Sequence, residues 1–384
     1  MKKMAFFIII PAFIVLMVFN VAFAGKPPVI IGGITPLSGA YGAHGDSIMK
    51  GNMLAVDEFN NRGGILGGRK VVVKWLDNKC NPSESVSAMR KHLAEGIRLF
   101  VGGFSSGVAF AQIPVLGEAG GLHMATTGMT PGTTKRGVRY SALPDIPTCG
   151  QKHMELLVEK FKPKTVYMVY ENTDYGRACH KFDKSLLEKF GVKIIGETFI
   201  PSDQMEHRTL LTKIKGRNPD LVIQCLAAAA SLAEFFKQSD EVGIHHKVQG
   251  DWKMMGDTIA ATPAQLIEGF WGTTTWITTL DNPGTKKFLA AYGKKYGTKE
   301  EVSDYAELGY EAMLVLLTAI DKAGTDTDIP AICRELEAID IPEGPRGRIT
   351  MNVEKCRITY VPSEYIVQNK KMVPPSKYTG PGWK

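Results

Sequence analysis

No two cysteines in this 384-residue chain have C-x-x-C spacing, which argues against a zinc ribbon and a thioredoxin-type redox site. No G-x-x-x-x-G-K-S/T occurs to cradle a nucleotide's phosphates, and Gly102-Gly103 lacks the G-x-G-x-x-G spacing of a dinucleotide turn. One-signed charge is scarce: the formal net charge is +7, and Lys and Arg are interleaved with acids, so no nucleic-acid partner is expected. Adjacent His245 and His246 would point apart on a strand and no third ligand is evident, so neither a metal nor a cofactor is read. Short repeats and low-complexity tracts are lacking as well.

A long apolar run does occur within residues 1–24, behind Lys2 and Lys3 and ahead of Ala22-Phe23-Ala24. That is the layout of a cleaved secretory signal peptide with a small-x-small site, preferred to an uncleaved anchor spanning a bilayer of ~30 Å. Its removal takes the charge from +7 to +5 and leaves 360 of the 384 residues, a length that divides by default into two lobes. Six cysteines lie in the exported part, where disulfides can persist. Proximity in chain order suggests Cys149 with Cys179 and Cys333 with Cys356, and Cys80 and Cys225 read as buried thiols.

Apolar runs and helical periods then alternate. A strand at 29–35 closes at Pro36, a small-residue loop carries Tyr41 and His44, and a helix follows with Asp46 as its cap. Strands at 70–76, 99–103 and 122–126 alternate with helices at 83–94 and 108–118, which implies a parallel sheet covered on both faces. After a strand at 139–143, Pro144 and Pro147 break the rhythm. A second series of similar length runs from 150 to 250, with an edge strand at 269–276. Helices at 283–296, 304–322 and 329–338 and strands at 347–351 and 357–368 complete the chain. In an open α/β sheet ligands gather at the carboxyl ends of strands, which directs attention to Gly102-Gly103-Phe104-Ser105-Ser106-Gly107.

Three segments carry a resemblance: Ile34-Thr35-Pro36-Leu37-Ser38-Gly39, then Asn60-Asn61-Arg62-Gly63-Gly64-Ile65-Leu66-Gly67-Gly68-Arg69, then Thr173-Asp174-Tyr175-Gly176. In this order, along essentially all of the exported chain, they resemble the periplasmic branched-chain amino-acid (Leu/Ile/Val) binding proteins, the receptors of ATP-binding cassette (ABC) importers. The resemblance implies the type I periplasmic binding protein fold, two doubly wound α/β lobes joined by a three-strand hinge. Crossings are expected near Asp145, Ile277 and Val353, so that 25–145 with 278–352 form lobe I and 146–277 with 353–384 form lobe II. It further implies a periplasmic monomer that closes on a small carboxylate ligand and offers the closed form to permease and ATPase subunits in the membrane.

The resemblance also implies roles for residues. Ser106 matches the serine that holds the ligand carboxylate, where a hydroxyl and free amides at a helix start suit an anion. Ser105 stands where relatives can carry a cysteine bonded to the match of Cys80; otherwise it caps the helix. Thr127 matches a polar contact, Met129 replaces a usual threonine, and Tyr175 matches a tyrosine facing the cleft. In amino-acid-binding relatives a carboxylate near Gly250 neutralises the ligand's ammonium, but the matching position is Trp252, with Asp251 one place earlier. Ala227 replaces an aromatic wall, and His44, with Tyr41 nearby, stands where an aromatic residue is common. With Asp251 turned inward a free amino acid fits; without it, Trp252 and Ala227 suit a larger or aromatic acid lacking an amine.

Two other functions compete. The same clamp could present its closed surface to a signalling receptor. Gly103-Phe104-Ser105-Ser106-Gly107 is also a literal G-x-S-x-G, and a downstream acid with His245 or His246 would complete a secreted esterase's order. A second lobe of equal size is not the hydrolase plan, so no enzyme is expected.

Overall fold

The computed structural model describes residues 26–250, 252, 256–297, 302–360 and 362–380; the leader at 1–24 and Asp251 lie outside the described residues. The first series forms β1 (Val29–Thr35), α1 (Gly42–Asn61), β2 (Val71–Asp77), α2 (Pro82–Ala94), β3 (Leu99–Gly102), α3 (Ser106–Glu118), β4 (Leu122–Ala125) and β5 (Arg139–Ser141). The second forms α4 (Ile146–Phe161), β6 (Thr165–Glu171), α5 (Asp174–Lys189), β7 (Lys193–Ile200), α6 (Arg208–Arg217), β8 (Leu221–Cys225), α7 (Ala229–Val242), β9 (Val248–Gly250), α8 (Gly256–Ala261) and β10 (Trp271–Thr274). Then come α9 (Pro283–Tyr296), α10 (Asp304–Ala323), α11 (Ile329–Glu337), β11 (Asp340–Gly344), β12 (Gly347–Asn352), β13 (Arg357–Ile358), β14 (Ser363–Gln368) and β15 (Lys371–Val373).

Two α/β lobes result. One is built on an eight-stranded sheet of order β11-β12-β13-β5-β4-β3-β1-β2, the other on the sheet β7-β6-β8-β9. The three-stranded sheet β10-β14-β15 packs with the second lobe, since Tyr365, Val367 and Met372 share a core with Val169, Val222 and Phe270. β1, β3, β6 and β8 are nearly all apolar because helices cover both faces of their sheets, as a parallel sheet requires. The chain passes between the lobes after β5, after β10 and between β13 and β14. Arg357 pairs with Ser141 in the first sheet, so the chain is still in that sheet beyond the crossing expected near Val353.

Several boundaries differ from the sequence reading for local reasons. α1 starts at Gly42 rather than Asp46: the small residues read as a loop are its first turn, so His44 is helical. Asp145 caps α4 by accepting from Thr148 N, and Pro147 falls in the first turn, where a missing N–H costs nothing. The strand expected over 357–368 is two strands in different sheets. All six cysteines are thiols, so neither expected disulfide forms. Cys149 hangs back into its own turn, Sγ donating to the Asp145 carbonyl at 3.1 Å, and Cys356 donates to the Val353 carbonyl at 3.4 Å.

α10 returns to the first lobe and meets α1 backbone to backbone. A Cβ on Gly51 would stand 1.9 Å from the Ala306 carbonyl oxygen, and one on Gly309 would stand 2.5 Å from that of Ile48. Gly51→Leu therefore forces the helices apart, at a cost of about 1–3 kcal/mol or more. Calorimetry is expected to show a lower unfolding midpoint for this variant. Gly216→Ala in α6, where nothing lies within 4 Å, leaves the midpoint level or raises it.

Candidate functional site

The first lobe's side of the cleft is made where β3 ends. Gly102 and Gly103 both have positive φ, and Gly103 N donates to the Ile34 carbonyl at 2.7 Å. A Cβ on Gly102 would lie 2.7 Å from that same oxygen, so only glycine passes so close to β1. Ser105 follows at φ 68°, a conformation rare for a side-chain-bearing residue, and it makes no side-chain cap to α3. The first-turn amides of α3, which have no partner within the helix, are left at the cleft. Ser106 Oγ accepts from Thr130 N at 3.2 Å, tying α3 to the loop that carries Thr127 and Met129.

That loop is held by two buried arginines. Arg139 donates to the carbonyls of Thr127, at 2.6 Å, and of Thr133. Arg357 donates to those of Leu143, at 2.6 Å, and Gly128, at 2.7 Å. Burial lowers both, Arg139 to about 9 with help from the Arg357 charge, and Arg357 to about 10. Both remain cations at neutral pH, satisfied by carbonyls.

The second lobe contributes Glu171, at the end of β6. It is 2% exposed. Its Oε1 accepts from the Thr173 hydroxyl at 2.8 Å, and its Oε2 from Ala227 N at 3.0 Å and the Tyr41 hydroxyl of the first lobe at 3.3 Å. Thr173 also caps α5, accepting from Gly176 N, so the helix start and the carboxylate are positioned together. Burial raises the Glu171 pKa, against the bonds from Ala227, Thr173 and Tyr41.

Between these walls lies a cavity of about 150 Å³, lined from the first lobe by Tyr41, Phe104, Ser105, Ser106, Thr127 and Met129, with Cys80 and Tyr305. Glu171, Thr173, Tyr175, Ser202 and Ala227 line it from the second. A space of this size accepts one small ring or a short branched chain. The Cys80 thiol sits beside Ser105, and burial pushes it up to about 12, which keeps it protonated.

Behind the cavity a latch joins the lobes. His44 is fully buried; its Nε2 lies 2.7 Å from the Ala227 carbonyl oxygen and its Nδ1 2.8 Å from Asp257 Oδ2. A carbonyl oxygen only accepts, and Asp257 already accepts from Ser47 at 3.0 Å and Ser303 at 2.7 Å, so both ring nitrogens donate. Burial opposes an imidazolium here, but the hydrogen bond and charge of Asp257 outweigh it, with smaller help from Ala227 and Asp304, and the His44 pKa is raised. Where α3 meets α5, a Cβ on Gly107 would lie 2.5 Å from Asp174 Oδ2. The lobes are closed on each other.

A family model described as "Periplasmic binding protein" matches residues 28–361. The chain belongs to this family. Leu/Ile/Val-binding protein BraC3 of Rhizobium johnstonii is 34% identical over 215 residues, which are 54% of this chain and 57% of that protein. The branched-chain amino acid transporter substrate binding protein LivJ of Streptococcus pneumoniae, solved with isoleucine, superposes with TM-score 0.80 at 23% identity over 90% of this chain and 97% of that one. A Rhodopseudomonas palustris ABC-transporter solute binding protein solved with benzoate gives TM-score 0.80 at 17% identity, over 90% and 95%.

Within this periplasmic binding protein the structure brings Tyr41, Ser105, Ser106, Thr127, Tyr175 and Ala227 to one cavity. Trp252 is only 2% exposed and packs in the core rather than in the cavity lining. His44 acts one layer behind the wall. His245 is buried within 3.1 Å of the Ser239 hydroxyl and is not among the residues lining the cavity with Ser105, as an esterase role would need. Glu171, Asp257, Phe104 and Tyr305 escaped the sequence reading. A lone acid ending the apolar run Tyr167-Met168-Val169-Tyr170 was the available signal for Glu171; the six-residue α8, too short for a period, offered none for Asp257.

The latch sets a pH dependence. The His44 pKa lies above its ordinary value near 6.5, so its contribution is complete below about pH 6.5 and is lost as pH rises through the raised value. The midpoint difference between the wild type and His44→Ala is expected to be largest near pH 6 and to shrink toward pH 9. Taking that difference cancels buried His123 and His153, whose pKa values burial lowers, to about 4 for His153, and which act in the opposite sense. A pH-independent difference would mean an uncharged ring.

Proposed function

We propose that this protein is the periplasmic substrate-binding component of an ABC importer, capturing a small carboxylate between its lobes for delivery to a permease and its ATPase. The observation that carries the reading is the cavity walled by both lobes, with Ser105, Ser106 and Thr127 beside the first-turn amides of α3. Hydroxyls and amides at a helix start hold an anion without a fixed cation, and they release it when the lobes part. BraC3 is named for leucine, isoleucine and valine, LivJ holds isoleucine, and the Rhodopseudomonas protein holds benzoate. All four of those ligands are small carboxylates, and the cavity has their size. Closure follows from contacts that a ligand makes to both lobes only in the closed state.

Thermal-shift screening of the mature protein against amino acids, aromatic acids and short dicarboxylates tests this. A true ligand at one hundred times its Kd stabilises the fold by about 2.7 kcal/mol and lifts the midpoint. In Ser106→Ala the affinity for that ligand is expected to drop by roughly tenfold or more, the scale of one hydrogen bond to a charged group. A panel in which no carboxylate shifts the midpoint would refute the assignment.

A further inference from the structure

We infer that the His44 ring is a proton-operated latch: with both nitrogens protonated it ties the second lobe to the first, and when one proton leaves, the lobes part and the cleft loosens its hold on the ligand. The effect on the ligand rests on the carboxylate-capture reading; the latch itself does not.

The geometry calls for both protons. Nε2 lies 2.7 Å from the Ala227 carbonyl oxygen and Nδ1 2.8 Å from Asp257 Oδ2, whereas a neutral imidazole carries a single N–H. Whichever nitrogen lost its hydrogen would set a lone pair against an oxygen at hydrogen-bond distance, around a ring with no solvent exposure. Both of these acceptors belong to the second lobe and the ring to the first, so the bond that is lost is one between lobes. Asp257 is also held by Ser47 and Ser303 of the first lobe, at 3.0 and 2.7 Å. The approach at this point is close: a Cβ on Gly256 would lie 2.9 Å from Ser303 Cα, so α8 seats its first turn against the backbone at the start of α10.

The ring also touches the cavity wall. Ala227, Phe104 and Tyr305 line the cavity, and the Phe104 and Tyr305 rings lie 5.5 and 4.8 Å from the imidazole, centroid to centroid. Aromatic faces of this kind attract a cation. The titratable groups around the ring come from each element packed on it: Asp257 of α8, Asp304 and Tyr305 of α10, Glu171 at the end of β6, and Tyr41 ahead of α1. Asp46, further along α1, is bonded to Lys50 at 2.6 Å. Burial raises both tyrosines, which keeps them neutral. It raises Glu171 as well, so comparison with a His44 variant is what isolates the ring. The raised His44 pKa gives the direction: the latch holds in acid and opens as pH rises through that value.

Small-angle X-ray scattering on the ligand-free protein tests the latch by itself. The radius of gyration of the wild type is expected to grow between pH 6 and pH 8.5, and that of His44→Phe, which keeps a ring and cannot donate, to be the same at both. A wild-type radius that stays constant, or one that grows equally in His44→Phe, would overturn the inference. Should His44→Phe not fold, Asp257→Asn, which removes the charge and keeps the shape, takes its place with the same expectation. Calorimetric titration with isoleucine and with benzoate then reads the cleft. For a probe that binds, the wild-type affinity is expected to fall roughly tenfold or more from pH 6 to pH 8.5, the scale of a hydrogen bond to a charged group, and to stay nearly level in His44→Phe. Equal wild-type affinity at both pH values would overturn the inference and leave the carboxylate reading intact. Binding of neither probe, with the radius growing as expected, would count against the carboxylate reading and support the latch.

Discussion

The backbone at Ala227 is where the cavity wall and the contact between the lobes meet. Its N–H reaches forward to Glu171 in the cavity wall, and its carbonyl reaches back to the His44 ring, which in turn grips Asp257. Ligand wall and latch therefore meet at one residue, through the two amides on either side of its Cα. His44 and Glu171 are buried in this arrangement of the lobes, and Asp257 is partly covered. Hydrogen bonds among these groups offset part of the desolvation that their burial imposes. A side chain larger than alanine at 227 would crowd the cavity without changing either backbone bond.

The two lobes contribute in different ways. The first presents a preformed surface: the strained turn at Ser105, the α3 amides, and a loop pinned by Arg139 and Arg357 through carbonyls. Arg357 lies in β13, just before the chain crosses, and Ile146 N bonds the Met129 carbonyl at the first crossing, so the hinge and the loop are built from the same residues. The second lobe presents groups bonded across the cleft, Glu171 to Tyr41, and Asp257 to His44, Ser47 and Ser303. The closed pose is thus defined by one fixed wall and one exchangeable set of bonds.

What could be read from the sequence follows from how much each element depends on its own residues. Strands buried on both faces announce themselves by composition, and caps such as Asn81 and Thr173 mark helix starts, so the alternation of the two lobes was legible. The start of α1 was not, because Gly42, Ala43 and Gly45 favour a helix only when packed: a Cβ at Gly45 would strike the Pro36 carbonyl. On the first lobe the candidate residues were adjacent to strand ends and therefore visible. The latch was hidden because His44 and Asp257 are 213 positions apart and meet only through the hinge. Cysteine pairing failed for the related reason that chain order says nothing of which way a thiol points.

The arginine pair has one more consequence. Two guanidinium charges stand behind the first lobe's wall with carbonyls rather than carboxylates as their partners, and the α3 N-terminus adds a partial positive charge in front. Across the cleft stands Glu171. The empty mouth is consequently a dipole, positive on one bank and negative on the other, and its low-dielectric walls focus that field into the opening. A ligand charged at both ends would be turned by that field before it touched either bank.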